Sequence, residues 1–332
     1  MSNPSPDAAV MLCLRHSVAG PFEPRVVTLD HSQLKKLSLA VLLAAAMGGC
    51  AMVPQSQPVA TPAQGAAVAA RARLMLSEGG QLVLRAIDAH GSLDTWYNTP
   101  TSAFAWEYSN PGMGLRFKSY QVADNHTRHI YHRLVSLGSP DSPNPATGRF
   151  AWDGTSAWIH PAAIEAINPR FWATTPYYFQ LIPFVLADPG LRYEKLPPED
   201  LDGTSCDMVR VGFEGGIGDS PGDSYTLYLD KESGLVRAIR YTVTFFSQQP
   251  PSDIPPTRET LFYYDDYITV DGLTTPTRFR GFLFQDGHKG EFKNEAWASE
   301  ISFHETFDDT QTLAPTGARL QSPPAARPTT KE

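Results

Sequence analysis

Four Asp-Gly pairs divide the chain beyond residue 100 into short segments, and this punctuation is what most limits the possible folds. An Asp-Gly pair favours a tight turn between two antiparallel strands, because both residues tolerate the positive φ that such turns require. The pairs are Asp153-Gly154, Asp202-Gly203, Asp271-Gly272 and Asp286-Gly287. The clearest strand is 236–246, where Ile239 and Tyr241 alternate with Arg240 and Thr242 at the period of two that is typical of a sheet. The sequence therefore predicts a large antiparallel sheet.

The same criteria predict further strands, and the chain shows no strand–helix–strand alternation of the kind that forms a parallel sheet. A strand at 225–229 pairs with 236–246 through a turn at 230–234. The others lie at 103–108, 114–123, 127–135, 149–152, 157–159, 208–213, 260–268, 277–284 and 293–303. We expect a mainly β chain with a few helices, in the α+β class.

Helices are predicted in two places. An apolar stripe at helical spacing ends at His90-Gly91, and it consists of Leu74, Leu76, Leu82, Val83, Ala86 and Ile87. The second place is 162–191, where prolines recur among many aromatic residues and forbid a long helix or a central strand. Short helices are predicted there around Phe171-Trp172 and 178–186. Their aromatic side chains should cover the concave face or the open mouth of the sheet.

The segment before residue 51 has the pattern of an export signal. Lys35-Lys36 precedes an apolar run at 37–47, which is too short to span a bilayer, and Gly48-Gly49-Cys50 follows. Residues 47–50 resemble the bacterial lipobox, which implies that Cys50 is lipidated and becomes the first residue of the mature protein. Ala51 stands where aspartate would retain such a protein in the inner membrane. The resemblance thus implies the periplasmic face of the outer membrane, with a lipid anchor at Cys50.

These patterns divide the chain into four parts. Residues 1–49 are an N-terminal extension with the signal peptide, and 50–70 are the lipidated cysteine with an Ala-, Pro- and Gln-rich tether. Residues 71–314 are predicted to form a single β domain, and 315–332 a disordered tail. The formal net charge of −8 provides no basic surface for nucleic acid.

Residues that could carry chemistry are few, and each has a structural alternative. His126, His129 and His132 lie three apart, but the local sequence favours a strand, so a solvated strand edge is favoured over a metal site. Cys206 is interpreted as a small buried residue, and Ser156 as part of a turn rather than a nucleophile. We predict no catalytic residues, no metal and no cofactor.

The predicted strands carry more large apolar side chains than a sheet with one buried face needs, and this feature exceeds chance. Phe262 and Tyr264 alternate with Leu261 and Tyr263, so both faces of that strand are covered. This favours a curved sheet whose inner face lines a cavity, although a close-packed sandwich stays open as the alternative. The candidate lining residues are Trp106, Phe117, Trp152, Trp158, Phe171, Trp172, Tyr178, Phe179, Phe184, Tyr241, Phe245, Phe279 and Phe282.

Four local patterns, taken in order, carry a family resemblance. They are the helix ending at His90-Gly91, the turn at 150–158, the hairpin at 228–235 and the turn at 267–276. In this order they resemble the LolA/LolB-like superfamily of periplasmic lipoprotein carriers, and within it a subgroup of outer-membrane lipoproteins. The resemblance spans about 75–310 and implies a half-open antiparallel barrel around short helices, with an apolar interior for acyl chains and no catalysis.

Two features depart from the soluble carriers of that superfamily. Cys50 would anchor this chain, and the segment 162–191 is longer than a simple carrier needs. The expected function is therefore non-catalytic binding of lipid acyl chains or of lipidated proteins by an anchored lipoprotein. The alternatives are an envelope hydrolase with an unrecognised active site and an envelope scaffold without a ligand.

Overall fold

The computed structural model describes residues 61–214, 224–242 and 258–321. The helices are α1 Pro62–Leu74, α2 Glu78–His90, α3 Leu93–Tyr97, α4 Pro169–Trp172 and α5 Thr175–Gln180, with 3-10 turns at Pro111–Met113, Phe184–Ala187 and Asp309–Thr312. The strands are β1 Thr101–Asn110, β2 Leu115–Asp124, β3 Ile130–Ser139, β4 Ser142–Trp152, β5 Ala157–His160, β6 Leu191–Leu201, β7 Thr204–Phe213, β8 Ser224–Asp230, β9 Val236–Thr242, β10 Arg258–Val270, β11 Leu273–Gln285, β12 His288–Ser302 and β13 Arg319–Gln321.

All thirteen strands belong to one sheet. Their order is β13-β5-β4-β3-β2-β1-β12-β11-β10-β9-β8-β7-β6, and every pair is antiparallel. Within the described ranges the sheet is not closed, because β13 and β6 form its two edges. The predicted antiparallel sheet with short helices is thus confirmed, as an open curved sheet.

Helices cover one face of this sheet, which we call the inner face. Side chains from α1–α5 and from the inner face form one continuous apolar core. The opposite face carries a smaller apolar cluster, formed by residues of β7–β10 such as Met208, Tyr228, Leu261 and Tyr263. Residues of β10 are buried on both faces of the sheet, which confirms the prediction that both faces of this strand are covered.

The alternation in β10 shifts at Asp266. This residue has a positive φ of 55°, and the pairing with β11 keeps the same register on both sides of it, since Asp265 pairs with Arg278 and Tyr267 with Pro276. A residue in the left-handed region interrupts the regular alternation of side chains along a strand. Tyr267 packs against the main core, and Ile268 is 42% exposed.

The predicted N-terminal helix is in fact two helices. Leu76, counted in the apolar stripe, is 86% exposed in the break between α1 and α2. Ser77 begins α2 as its N-cap, since its hydroxyl accepts a hydrogen bond from the amide of Gly80 at 3.0 Å. A capping serine competes with helix continuation, which explains why the stripe is interrupted.

Two elements begin or lie outside the predicted domain 71–314. Helix α1 lies in the segment assigned to the tether, where Thr61 and Gln64 form a capping box and Ala67 and Ala70 are buried. Small alanine side chains allow this helix to approach its neighbours closely, which composition does not show. At the other end, β13 lies within the predicted tail and pairs with β5. Among the described helices, none combines the length and the apolar character needed to cross a bilayer.

Two glycines in the helical layer provide a test of this packing. A Cβ on Gly80 would lie 2.2 Å from the carbonyl oxygen of Leu74, whereas a Cβ on Gly65 in α1 meets nothing within 4 Å. We expect Gly80→Ala to lower the free energy of unfolding by about 1–3 kcal/mol through overpacking. Gly65→Ala, the matched control, should raise it by about 0.5–1 kcal/mol. Urea denaturation followed by tryptophan fluorescence measures both, and a Gly80→Ala protein as stable as the unsubstituted chain would contradict the close approach of α1 and α2.

Candidate functional site

A cavity of about 330 Å³ lies between α4, α5 and the inner face of the sheet. The strands that contribute to it are β1, β9, β10 and β12. Its lining consists of Trp106, Tyr108, Asn110, Met113, Phe171, Trp172, Thr175, Phe179, Tyr241, Glu259, Thr260, Phe262, Lys293 and Asn294. Half of these residues are aromatic, and most of the polar ones lie near the ends of strands.

Prolines determine how the helices cover the cavity. Pro169 occupies the first turn of α4, whose N-cap Asn168 accepts a hydrogen bond from the amide of Phe171 at 3.1 Å. Pro176 lies in the first turn of α5, which ends at Gln180. Proline is tolerated in the first turn of a helix but not in its interior, so closely spaced prolines permit only short helices. Two short helices leave a gap that one long helix lying across the strands would fill.

Each helix places an aromatic ring on a different side of this gap. The ring of Trp172 in α4 lies 4.7 Å from that of Tyr108 and 4.8 Å from that of Phe117. The ring of Phe179 in α5 lies 4.9 Å from Tyr241 and 5.3 Å from Phe262. These contacts are within the range for attractive aromatic pairs, so both walls are held by packing rather than by the ligand.

The deep end of the cavity is aromatic and buried. Trp106 lies 4.9 Å from Phe279, and Phe279 stacks on Phe262 at 5.4 Å. Phe279 is fully buried behind this contact. The indole nitrogen Nε1 of Trp106 is buried without a hydrogen-bond partner among the described residues. The deep end therefore offers rings rather than a polar network.

The opposite end, which we call the mouth, is polar. Strand register places Asn110, Thr260, Lys293 and Asn294 toward the same ends of their strands, beyond Trp106 on β1 and beyond Phe262 on β10. The ammonium group Nζ of Lys293 donates a hydrogen bond to Oγ1 of Thr260 at 2.8 Å. These polar side chains lie beside aromatic rings, since Tyr241 pairs with Thr260.

Glu259 borders the cavity, but its carboxylate lies with Arg240 on the opposite face of the sheet. Glu259 has a side chain that is 11% exposed, and one of its oxygens lies 3.7 Å from Nε of Arg240. Burial raises the pKa of the Glu259 carboxyl, and the positive charge of Arg240 opposes that rise. The guanidinium of Arg240 lies in turn 4.6 Å above the ring of Phe284.

Five of the predicted lining residues meet at this cavity: Trp106, Phe171, Trp172, Phe179 and Tyr241. They were selected for aromatic character in period-two strands and in the proline-rich segment, and the fold brings them together from four separate elements. One candidate, Phe245, lies outside the described residues.

The remaining candidates lie elsewhere. Phe117 and Phe279 are buried behind the wall, and Phe184 stacks on Trp96 at 5.2 Å under the N-terminal helices. Phe282 packs on the opposite face of the sheet, where its ring lies 5.6 Å from Tyr263. These four do not line this cavity, because alternation alone does not tell how deep a ring lies or which face the cavity occupies.

Three further candidates for the lining lie outside the cavity. Two of them contact a polar or cationic group elsewhere, and the third is exposed to solvent. Trp158 donates its indole hydrogen to the carbonyl oxygen of Thr312 at 2.6 Å. Trp152 lies under the guanidinium of Arg170 at 3.7 Å, and Tyr178 is 38% exposed. None of the three lines the cavity.

Sequence reasoning missed several lining residues. Phe262 was recognised as part of a covered strand but not as lining, and Tyr108, Asn110, Met113, Thr175, Glu259, Thr260, Lys293 and Asn294 were not selected. Tyr108 and Phe262 carry the same aromatic signal as the residues that were chosen. The polar members carry no local signal, since only the register of four strands brings them together.

The three histidines are not grouped around a common point. His132 is buried, its ring stacks on Phe150 at 4.2 Å, and its two nitrogens lie 3.2 Å from Oγ of Ser119 and 2.9 Å from the carbonyl oxygen of Ala173. The predicted solvated strand edge is therefore wrong for this residue. His126 and His129 precede β3. Among the described residues, no group of three potential metal ligands is present.

Cys206 and Ser156 occupy the structural positions that the sequence favours. Cys206 is buried in β7, and burial raises the pKa of its thiol to about 11. Ser156 belongs to a turn in which Oδ1 of Asp153 accepts hydrogen bonds from the amides of Thr155 and Ser156 at 2.8 and 2.7 Å.

Comparison with known proteins gives similarity in fold only. No family model and no curated protein matches the sequence. A solved DUF1329 family protein from Desulfovibrio piger is similar at a TM-score of 0.45 and 11% identity, over 71% of this chain and 97% of that one. A LolA superfamily protein from Nitrosomonas europaea is similar at a TM-score of 0.45 and 8% identity, over 72% and 99%.

A third solved structure is an outer membrane lipoprotein-sorting protein domain from Vibrio parahaemolyticus. It is similar at a TM-score of 0.36 and 10% identity, over 70% of this chain and 94% of that domain. One of these neighbours is a member of the superfamily that the sequence motifs resemble. At such scores the likeness carries no conclusion about function, which is inferred below from the cavity of this chain.

Burial of two histidines predicts a pH-dependent stability. Burial lowers the pKa of His132 from 6.5 to about 3 and that of His90 from 6.5 to about 4. Because the folded-state values lie below the unfolded ones, protonation favours the unfolded chain. Stability is complete above pH 6.5 and falls on acidification by up to about 1.4 kcal/mol per pH unit for each histidine.

Urea denaturation between pH 7 and pH 4.5 measures this slope. We expect His132→Gln to reduce the histidine contribution to the slope by about half, as one of the two buried histidines is removed. His126→Gln is the matched control, since the side chain of His126 is 56% exposed. An unchanged slope in the His132→Gln protein would contradict the role of the buried imidazole.

Proposed function

We propose that this chain binds a single acyl chain, carried by a lipid or by a lipid-modified protein, in the cavity between α4, α5 and the sheet. The observation that carries the proposal is a cavity of about 330 Å³ with an aromatic deep end and walls held by their own packing. The role proposed is binding and carriage without catalysis.

The size of the cavity limits the ligand. Sites for small molecules have volumes of about 300–1,000 Å³, and this one lies at the lower end. It suits one hydrocarbon chain better than two. Each methylene transferred from water to an apolar site gains about 0.8 kcal/mol, so burying about ten gains roughly 8 kcal/mol before the cost of association. The gain is sufficient for reversible binding, which a carrier requires.

The proposal also includes attachment to a membrane through the N-terminal segment. Cys50 lies outside the described residues, and its lipidation rests on the lipobox-like sequence at 47–50. We propose that lipid on Cys50 anchors the protein to the periplasmic face of the outer membrane. Several acyl chains on one cysteine give stable attachment, whereas one buried chain gives only marginal attachment.

A charge on the cavity wall tests the binding proposal. Phe171 lines the cavity and is partly exposed, so Phe171→Asp should be tolerated by the fold. An unpaired carboxylate beside a hydrocarbon chain is costly, and we expect affinity for a neutral fluorescent alkyl probe to fall at least tenfold. Phe292→Asp is the matched control, because Phe292 is 45% exposed and does not line the cavity.

Fluorescence titration measures both affinities, and native mass spectrometry with a panel of lipids checks the stoichiometry. One chain per protein is the expected result. Equal affinities of the two variants, or no bound alkyl species in the unsubstituted protein, would contradict acyl-chain binding at this site.

The anchor is tested by Cys50→Ala in a bacterial host. We expect the substituted protein to lose incorporation of a radiolabelled or alkyne-tagged fatty acid and to move from the membrane fraction to the soluble fraction. Cys206→Ala is the matched control, because Cys206 is buried in β7 and should leave both readouts unchanged. Fatty-acid labelling that persists without Cys50 would contradict lipidation at that residue.

A further inference from the structure

Helix α1 exposes an apolar face to solvent. Its other side packs into the core through Ala67, Ala70 and Leu74, which are buried. The exposed residues follow one another at the spacing i, i+3, i+4, i+7, i+10 and i+11, so they share one side of the helix and of its C-cap. They are Gly65, Val68, Ala69, Ala72, Met75 and Leu76, and we call them the α1 outer face. None of these side chains is polar or charged.

The larger side chains of this face are strongly exposed. Val68 is 68% exposed, Met75 52% and Leu76 86%. A Cβ on Gly65 would meet no atom within 4 Å, so the space in front of the helix is open there. Single exposed apolar side chains are ordinary on a protein surface, whereas a contiguous apolar patch marks a surface that binds a partner. The α1 outer face is therefore suited to a partner that accepts apolar side chains.

The position of this face in the chain favours a lipid surface as that partner. Ten residues, 51–60, separate the proposed lipidated Cys50 from Thr61, the N-cap of α1. A chain of this length reaches at most about 40 Å when fully extended. Acyl chains on Cys50 would hold the α1 outer face within that distance of the bilayer. A second copy of the chain has no comparable tether to this face.

The charges near the face do not oppose an anionic membrane. Residues 61–77 contain no aspartate or glutamate, although the whole chain has a formal net charge of −8. Their charged side chains have partners within the protein, since Arg71 lies 3.7 Å from Asp88 and Arg73 donates to the carbonyl oxygen of Ala187 at 2.9 Å. Contact with a bilayer would consequently come from the apolar face and the anchor rather than from free cations.

Helix α1 lies at the end of β1 that is remote from the mouth of the cavity. Asp188, which follows the carbonyl group bound by α1, accepts hydrogen bonds from Arg128 at 2.7 and 2.8 Å. Arg128 lies in the turn that joins β2 to β3, and this turn is next to Thr101, the first residue of β1. Asn110 at the mouth is the last residue of that strand, roughly 30 Å away.

We propose that the α1 outer face docks on the phospholipid surface to which Cys50 is anchored, and that the mouth of the cavity stays in water. This inference rests on the lipid anchor of the proposed function, and it is independent of what the cavity binds. A ligand would then reach the cavity from the aqueous side rather than from the bilayer that holds the anchor.

Fluorophores on single introduced cysteines test the docking. The full lipidated protein is purified from the membrane and reconstituted in vesicles of phosphatidylethanolamine and phosphatidylglycerol. Labels at Val68→Cys and Leu76→Cys report on the α1 outer face, and labels at Met113→Cys and Phe292→Cys are the controls. Met113 and Phe292 are 63% and 45% exposed and lie toward the mouth. Native Cys206 is buried, and an acylated Cys50 does not react with the label.

A nitroxide on the lipid chains and iodide in the water quench labels on opposite sides of the membrane surface. We expect the nitroxide to quench the two α1 labels at least about twofold more strongly than the two controls, because their side chains enter the interface. Iodide should give the opposite order. Val68→Asp should lower the nitroxide quenching of the Leu76→Cys label to the level of the controls, whereas Val68→Leu should retain it. Circular dichroism verifies the fold of each variant.

The outcomes separate this inference from the rest of the proposed function. Mass spectrometry of the same preparation detects acyl chains on Cys50, and their absence would overturn both the anchor and the docking. Equal nitroxide quenching of all four labels in acylated protein would overturn the docking and leave the anchor standing. A disulfide between two copies of the Leu76→Cys protein, with no nitroxide quenching of its label, would assign the face to a second copy and would also overturn the docking.

Discussion

The structure depends on one packing constraint, which is that a proline-interrupted aromatic segment must cover the inner face of an open sheet. The segment cannot form a long helix, because its prolines recur every few residues. Its rings cannot stay in water without a large cost, so they pack against β1, β9 and β10. Short helices cover a curved sheet incompletely, and the uncovered part is the cavity. A regular helical layer would have produced a solid core instead.

The two faces of the sheet serve different purposes. The inner face supports the helices and the cavity, whereas the outer face carries its own cluster around Tyr228 and Tyr263. In that region Lys289 and Tyr263 bind the carboxylate of Asp202, at the turn between β6 and β7. Residues of β10 are therefore buried on both sides. Of the strands that line the cavity, β9 and β10 are consequently covered on the outer face as well.

Irregularities in the strands create the polar features of the site and protect the edge of the sheet. In the pairing of β11 with β12, a bulge leaves Lys293 as an extra residue at the mouth, and Asp266, with its positive φ, interrupts the alternation of side chains along β10. On the edge strand β6, Pro197 and Pro198 interrupt the pairing with β7 between Leu196 and Glu199. Prolines at an edge hinder pairing with another chain, so an open sheet can persist without aggregation.

Particular residues show which features of the fold could be predicted from the sequence. The Asp-Gly turns and the alternation in β9 and β10 gave the antiparallel sheet, and the prolines of 162–191 gave the short helices, because these are local effects of backbone geometry. Aromatic surplus selected Trp106, Trp172 and Phe179, which lie around the cavity. It also selected Phe184 and Phe282, which lie in the core and on the outer face. Composition does not indicate α1 or β13, since alanines of α1 are buried against other elements and β13 pairs with β5, which is distant in sequence.

The amino-acid sequence by itself determined the class of fold, the positions of most turns and the abundance of rings available to a cavity. Only the tertiary structure decided where the cavity lies, because its wall is assembled from residues as far apart as Trp106 and Asn294. It also decided that the mouth is polar. Register and a single bulge set that property, and both arise from pairing between strands rather than from any property of the residues one by one.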